Sequence, residues 1–310
     1  MQTQTLTFGG STVTLESEGT HADRLVQQLL ANIAPDRSAP DRSAPDRSAP
    51  DRGSSWTLRL VSQQGRPAHL FSGACTATLQ PLGETTAEQV LGHLCYRLAA
   101  GSQGGVLFHA AGACHAGQGW LLPGKVGAGK TTLAAWLVAS HYTYLSDELV
   151  FVANGSLQMQ GFSRPLNLRA GGLAALQAAT SLVVEDNTAA KDANTLVAPH
   201  YIGPGKVSDQ AMLCAILFPH YAANCTFSCT PLSQAEAGLA LMECLINARN
   251  LPNHGFTEVT RLARHLPAYR LTYSNFEQLH PWFLAAEKPC GKFLEAACWP
   301  QPQRCTAITL

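Results

Sequence analysis

The chain predicts an α/β fold in two parts: a small α+β lobe over residues 1–100 and a larger α/β unit over 101–310. Three observations predict it. An apolar run, Trp120 to Pro123, enters a glycine-rich loop that leads into a helix-forming run, Thr131 to Ala139. A short run rich in β-formers, Tyr142 to Ser146, follows and ends on two acids, Asp147 and Glu148. Ahead of these, residues 1–100 carry short alternating runs and a Pro-rich repeat, a different texture from the rest.

The N-terminal elements come first. Leu6 to Leu15 alternates as strand around a Gly9-Gly10 turn, and Ala22 to Ile33 has the spacing of an amphipathic helix. Then Ala34-Pro-Asp-Arg-Ser38 occurs three times unchanged to Ser48, with a fourth copy ending in Gly53. Each unit carries one Pro, one Asp and one Arg and cannot bury a core, so residues 34–53 predict an extended linker or surface loop. One reading makes it a tether with Ser38, Ser43 and Ser48 as modification targets. The preferred reading is a repeat expansion tolerated in a loop. Trp56 to Val61 and Cys75 to Leu79 read as strands. Thr86 to Ala99 reads as a helix with Glu88 near its start, where a negative charge suits the helix dipole. The whole lobe would lean on the larger unit or present a ligand to it.

The larger unit opens with an apolar strand, Gly105 to Cys114, and a turn over 116–119. His109 is a polar interruption in that buried run, either a satisfied core histidine or a site residue. The loop Gly124-Lys-Val-Gly-Ala-Gly-Lys130-Thr131 has the G-x-x-x-x-G-K-[ST] pattern of a phosphate-binding loop. Its glycines let backbone N–H groups converge on phosphate oxygens at the positive end of the following helix. Gly124, Val126, Gly127, Ala128, Gly129, Lys130, Thr131 and Thr132 are the expected nucleotide-binding residues. Lys130 would reach the β- and γ-phosphates and Thr131 would hold Mg²⁺. Asp147 and Glu148 lie sixteen and seventeen residues after Thr131, at the carboxyl end of the next strand. Beside a triphosphate, one acid suits the metal and the other a proton from an attacking hydroxyl. The plain alternative is a solvated acidic turn.

Further on, Arg164 and Arg169 flank Pro165 and would clamp phosphate or an acidic substrate; surface solvation explains them equally well. His200 to Asp209 reads as a flexible loop that would close over the site and bring Lys206 to the transferring group. Gln234 to Arg249 reads as one amphipathic helix with Leu239, Met242, Leu245 and Ile246 on its apolar side.

The order LFHAAG, strand, GKVGAGKTT, helix, YLSDELVFV resembles the HPr kinase/phosphorylase superfamily and its HPr-kinase-related relatives in bacterial peptide-modification gene clusters. Phe162 to Arg169, Ala215 to Phe218 and Leu266 to Tyr273 extend the resemblance over about residues 100–280. It implies a P-loop kinase core also related to phosphoenolpyruvate carboxykinase. It implies ATP and Mg²⁺ as cofactors and Asp147 as general base, with Lys130 on the phosphates. It implies that Glu148 and Thr131 serve the metal and that His109 lies near Asp147 and tunes it. The family usually has two aspartates where this chain has Asp147-Glu148, and often Ser where Thr131 stands. The glycine-rich signature that follows the second acid motif in the phosphorylases has no counterpart here. That argues against a phosphorolytic reverse reaction and against HPr as target.

Composition bounds the rest. The chain has 310 residues, 46% hydrophobic, with 21 basic and 21 acidic side chains. Zero formal net charge gives no whole-chain drive toward nucleic acid or an anionic membrane. No apolar run reaches spanning length, and the N-terminal residues lack a secretory signal pattern. The ten cysteines are scattered, with only Cys225 and Cys229 closely spaced, and read as reduced thiols of a cytoplasmic protein. The leading expectation is an ATP-dependent kinase acting on a Ser or Thr hydroxyl of a peptide or small protein. The alternatives are a metabolite-alcohol kinase and a nucleotide-driven switch in a biosynthetic complex. No segment reads the acceptor's sequence. A homo-oligomer is expected from the family alone, since no heptad or edge pattern encodes it.

Overall fold

The computed structural model describes residues 1–30, 33, 55–62, 68–72, 75–79, 84–180, 182, 194–203 and 207–286. The repeat over 34–53, with Ser38, Ser43 and Ser48, lies outside them, as does Lys206. The architecture is mixed α/β, with several sheets and helices.

The chain opens on a hairpin, β1 (Gln2–Phe8) and β2 (Ser11–Glu18), turned at Gly9-Gly10 as its alternation predicts. Helix α1 spans Thr20–Leu30, starting and ending earlier than the expected Ala22 to Ile33. It buries Ala22, Val26 and Leu29, one stripe of an amphipathic helix. β3 (Ser55–Val61) lies parallel to β2; β4 (Ala68–Ser72) and β5 (Cys75–Leu79) add antiparallel strands to complete a five-stranded sheet. Helix α2 (Glu84–Gly101) then crosses toward the larger unit. The hydrophobic core of this lobe is not private. Val90, Leu94 and Leu98 of α2 share one cluster with Leu107, Leu149, Phe151 and Phe162 from beyond residue 101.

The larger unit is built on β6 (Gly105–His115), β7 (Gln118–Pro123), helix α3 (Lys130–Ala139), β8 (Thr143–Ser146), β9 (Leu149–Ala153) and β10 (Gln158–Gly161). It continues with β11 (Leu166–Leu168), α4 (Ala170–Ala179), β12 (Thr195–Val197), α5 (Pro199–Ile202), β13 (Gln210–Tyr221) and β14 (Ser228–Pro231). Helices α6 (Gln234–Cys244) and α7 (Phe256–His265), strand β15 (Ala268–Tyr273) and helix α8 (His280–Ala286) complete it. The main sheet has eight strands in the order β10-β9-β6-β7-β13-β15-β14, with β8 also on β6. Strand β10 pairs with β13 as well, so β10, β9, β6, β7 and β13 close on themselves. Met159 is buried inside this ring, and a Cβ at Gly119 would meet its Cε at 2.3 Å, so a larger residue there would have to displace the methionine's end.

β6 is the central strand, buried along almost its whole length, with His109 its half-exposed interruption. One face of the sheet packs Leu133, Trp136 and Leu137 of α3 with Phe283 of α8. The other packs Leu241 of α6 with Val259 and Leu262 of α7. From Leu133 onward helix α3 is apolar all round, and it is accordingly buried from Leu133 through Val138.

Asp147 and Glu148 follow directly on the carboxyl end of β8, as expected, and β9 continues after them along the same side of β6. Gly112 pairs with Ser146 and His109 with Leu149, so the pairing register is kept across the acids. Two expectations need correcting. The helix expected over 234–249 stops at Cys244. β7 pairs with β6 only from Ala110 onward, and residues 245–247 fill the space beside the earlier part of β6. Ile246 N–H donates to Leu107 O at 2.9 Å, and buried Asn247 accepts from Leu107 N–H and donates to Gly105 O. Backbone groups that would otherwise be buried without partners end the helix. Leu239, placed on the apolar side, is 69% exposed, while Ala237, Leu241 and Cys244 are buried. Finally, the segment 200–209 is not a free loop at its ends. Residues 199–202 are helical, and Ser208 N–H donates to Tyr144 O at 2.9 Å. No helix among the described residues is long and apolar enough to cross a membrane.

Candidate active site

The loop between β7 and α3 carries the expected glycine geometry. Gly127 and Gly129 have φ of 87° and 94°, and Gly129 is the N-cap of α3 without a side-chain cap bond. The first N–H groups of a helix have no intrahelical partner, so this end of α3 presents donors and positive potential. At Gly129 a Cβ would also meet Tyr273 Oη at 2.8 Å, and Tyr221 N–H donates to Ala128 O. Tyr221 and Tyr273 thus brace the loop, and neither was singled out from the sequence.

Lys130 is buried, and its ammonium donates to Gly124 O at 2.7 Å and Lys125 O at 3.2 Å. Burial pushes it below its ordinary pKa, with Glu148 acting in the other direction. Its Nζ also lies 3.0 Å from His109 Nε2. Since an ammonium only donates, His109 Nε2 is the acceptor there, which leaves Nδ1–H to donate to Glu148 Oε1 at 3.2 Å. His109 therefore links Lys130 to Glu148. It was expected to tune Asp147, yet its contacts are with the other acid.

The two acids occupy different environments. Asp147 is 2% exposed and its carboxylate is fully engaged. Oδ1 accepts from Arg164 Nε at 2.9 Å and faces the Tyr144 hydroxyl at 3.3 Å; Oδ2 accepts from Asn167 N–H at 3.3 Å. Glu148 is partly open. Burial pushes its carboxyl up, but the His109 hydrogen bond and the Arg164, His109 and Lys130 charges outweigh that and hold it below the ordinary value. Arg164 bridges the acids, with Nη2 at 3.5 Å from Glu148 Oε2. Burial opposes its charge, and Asp147 above all outweighs that and raises its pKa well above normal. Surface solvation is therefore not its role. Tyr144 is fully buried, so its phenol stays protonated and its one hydrogen is shared between Asp147 and Arg164 O.

A cleft of about 1180 Å³ joins these groups. Val126, Gly127, Gly129, Lys130, Thr131 and Thr132 line it with His109, Asp147, Glu148, Arg164 and Arg169. Gly124 and Ala128 face the opposite way, into a smaller pocket of about 410 Å³ beside His220 and Arg270. Arg169 is exposed at the N-cap of α4, so the two arginines expected to act together have separate positions. The cleft also carries residues that the sequence did not point to as site residues. Glu88 of α2 accepts from Asn167 Nδ2 at 2.6 Å and Asn194 Nδ2 at 3.3 Å, bringing the N-terminal lobe to the site. Cys95, also on α2, lies against Arg164, and burial pushes its thiol up to about 12. Cys225 and Cys229 hold free thiols, and no group of three or more His, Cys, Asp or Glu side chains is placed to hold a metal by itself among the described residues.

Neither a family model nor a curated protein sequence matches this chain. Among solved structures, the Hpr(Ser) kinase/phosphatase from Coxiella burnetii aligns with a TM-score of 0.29 at 11% identity, over 58% of this chain and 98% of that one.

Proposed function

We propose that the protein is an ATP-dependent kinase of the HPr kinase/phosphoenolpyruvate carboxykinase type that phosphorylates a Ser or Thr hydroxyl of a peptide or small protein. The reading rests on one juxtaposition: Lys130, Thr131 and the uncapped start of α3 share a cleft with Asp147 and Glu148. The glycine loop and Lys130 would hold the triphosphate, as anions bind at helix N-termini. The donor set suits Mg²⁺, which takes one or two carboxylates and otherwise water and substrate phosphates rather than a protein cage. Thr131 and Glu148 would be its ligands, and the ion would supply charge neutralisation on the transferring group. The acceptor oxygen forms a bond to the γ-phosphorus, the bond to the β–γ bridging oxygen breaks, and ADP leaves. Asp147 takes the acceptor's proton. Arg164, paired with both acids, keeps Glu148 as its partner when Asp147 is neutralised. His109 holds Lys130 and Glu148 in place through its two ring nitrogens.

A second reading, an ATP-driven switch in a biosynthetic complex, has one observation in its favour: both oxygens of Asp147 are occupied by protein groups. One experiment separates the two. The purified protein is incubated with Mg-ATP and synthetic Ser/Thr peptide mixtures, and phosphate incorporation is read by mass, with Asp147→Asn and Lys130→Ala in parallel. The kinase reading expects labelled peptide from the wild type, none from Lys130→Ala, and a loss of at least about a hundredfold in Asp147→Asn with nucleotide still bound. Nucleotide binding and slow hydrolysis without any labelled peptide would favour the switch.

A further inference from the structure

The side chains of Glu88, Asn167 and Asn194 form a cluster that makes no side-chain bond to the acid pair, yet it lines the same cleft. Its hydrogen bonding is asymmetric. Both asparagine amides donate to the same carboxylate oxygen, Glu88 Oε1. That fixes the Asn167 amide orientation, since a carboxylate only accepts. Asn167 Oδ1 must then point away from Glu88, and it is buried without a hydrogen-bond partner. A buried carbonyl oxygen left unmade is unfavourable by about 1–3 kcal/mol. Glu88 itself forms no ion pair with any described cation, unlike Asp147 and Glu148, which share Arg164. The cluster therefore offers hydrogen-bond acceptors and a negative charge without an ion-pair partner among the described residues. Asn167 also donates its backbone N–H to Asp147 Oδ2, so the cluster is one residue away from the reacting centre.

We propose that Glu88 and Asn167 form a specificity site for a cationic group of the phosphoryl acceptor, an ammonium or guanidinium close to the hydroxyl that is phosphorylated. For the identity of its ligand as an acceptor, the inference rests on the kinase reading above. An incoming cationic group neutralises Glu88 directly, and Asn167, whose amide donates to Glu88 Oε1, positions that carboxylate for the contact. A neutral or acidic acceptor leaves both as they are or repels them. The N-terminal lobe, through α2, thereby reads the acceptor while the larger unit holds the nucleotide.

The test uses the full-length protein with two synthetic peptide mixtures containing one Ser, flanked at every other position by basic or by acidic residues. Binding is read by fluorescence polarisation and phosphate transfer by mass, for the wild type and Glu88→Gln. Gln keeps an oxygen for the two asparagine amides, so the cluster's internal hydrogen bonds survive. The expected result is that the wild type binds the basic mixture at least about tenfold more tightly than the acidic one, and that Glu88→Gln loses most of that preference while its affinity for ATP is unchanged. Glu88→Lys should invert the preference toward the acidic mixture. Equal binding of both mixtures by the wild type, or a preference that survives in both Glu88 variants, would overturn the proposal. A purely structural Glu88 would lower stability without moving the preference. The binding arm decides the specificity site whatever the transfer arm shows. A basic preference that depends on Glu88 without any transfer would sink the kinase reading and leave the cationic site standing.

Discussion

Replacing Arg164 by Met should lower the unfolding free energy by about 3–5 kcal/mol. The magnitude follows from burial. The Arg164 and Asp147 side chains are 7% and 1% exposed and their charged atoms meet at 2.9 Å. A pair on the surface would contribute only about 0–1 kcal/mol. Without the guanidinium, Asp147 keeps only the Asn167 N–H and a share of the Tyr144 hydroxyl, and a buried carboxylate with so little compensation is strongly destabilising. Asp147→Asn removes the same pair from the other side, leaving Arg164 with Glu148 at 3.5 Å. The double variant leaves neither a buried carboxylate at 147 nor a buried guanidinium. It should therefore be more stable than the two single losses summed, by about 2 kcal/mol or more. Urea unfolding followed by tryptophan fluorescence measures all three. A loss below about 1 kcal/mol for Arg164→Met, or strict additivity, would refute the reading of Arg164 as the partner that holds Asp147 in place.

Four other outcomes are expected. Lys130→Ala should weaken binding of a fluorescent ATP analogue by at least about tenfold, and Gly129→Ala should do the same, because φ there is 94° and the new Cβ would meet Tyr273 Oη at 2.8 Å. Leu241→Ala, at a fully buried site of α6, should lower stability by about 2–5 kcal/mol, whereas Leu239→Ala, 69% exposed, should change it by under about 0.5 kcal/mol; equal losses would mean the helix buries the other face. Glu148 has a depressed folded-state pKa, so its contribution to stability is present above the unfolded carboxylate value and is lost as pH falls through the folded one. The stability gap between wild type and Glu148→Gln should accordingly hold from neutral pH down to about pH 5 and close below it, as read by thermal melts across that range. Cys95 and Cys229, whose thiols burial raises to about 12, should resist alkylation at pH 8 in the native protein and react only after unfolding, as counted by intact mass.

Much of the fold was legible because the local signals were strong. The Gly9-Gly10 hairpin, the helix after the loop with its apolar run from Leu133 and the long buried β6 each carry a pattern that few other structures satisfy. Helix α6 shows where that reasoning fails. Leu239, Met242, Leu245 and Ile246 keep a helical period past the end of the true helix, so the apolar pattern does not mark Cys244 as its last residue. The stop is set by a distant requirement: residues 105–107 of β6 need partners on one side, and the backbone of Ile246 with the side chain of Asn247 supplies them. A polar side chain late in an apolar period was the available clue, since asparagine competes with helix by bonding backbone groups elsewhere.

The site divides along the same line. The glycine-rich loop is contiguous in sequence, so its residues could be named from spacing, and the fold puts Gly127, Gly129, Lys130 and Thr131 in one cleft with both acids. What spacing could not tell is how the acids differ. Adjacent residues at a bend point in different directions, and the partners that distinguish them come from elsewhere: Arg164 and Asn167 from the segment after β10, His109 from β6, Glu88 and Cys95 from the N-terminal lobe. Arg164 and Arg169 looked equivalent because both follow the acids and flank one proline. Their burial separates them: Arg164 is enclosed between the acids and α2, and Arg169 caps α4 at the surface. A guanidinium enclosed that deeply is retained only with carboxylates around it, so its position says which acid is locked and which is free to meet a ligand. On the kinase reading proposed above, Asp147 would then act only if its proton uptake were coupled to a shift of Arg164 toward Glu148. Arg164→Lys, which keeps one charge but not the fork that spans both acids, should then reduce turnover more than it reduces nucleotide affinity. Equal losses in both would place Arg164 with the nucleotide instead of the acids.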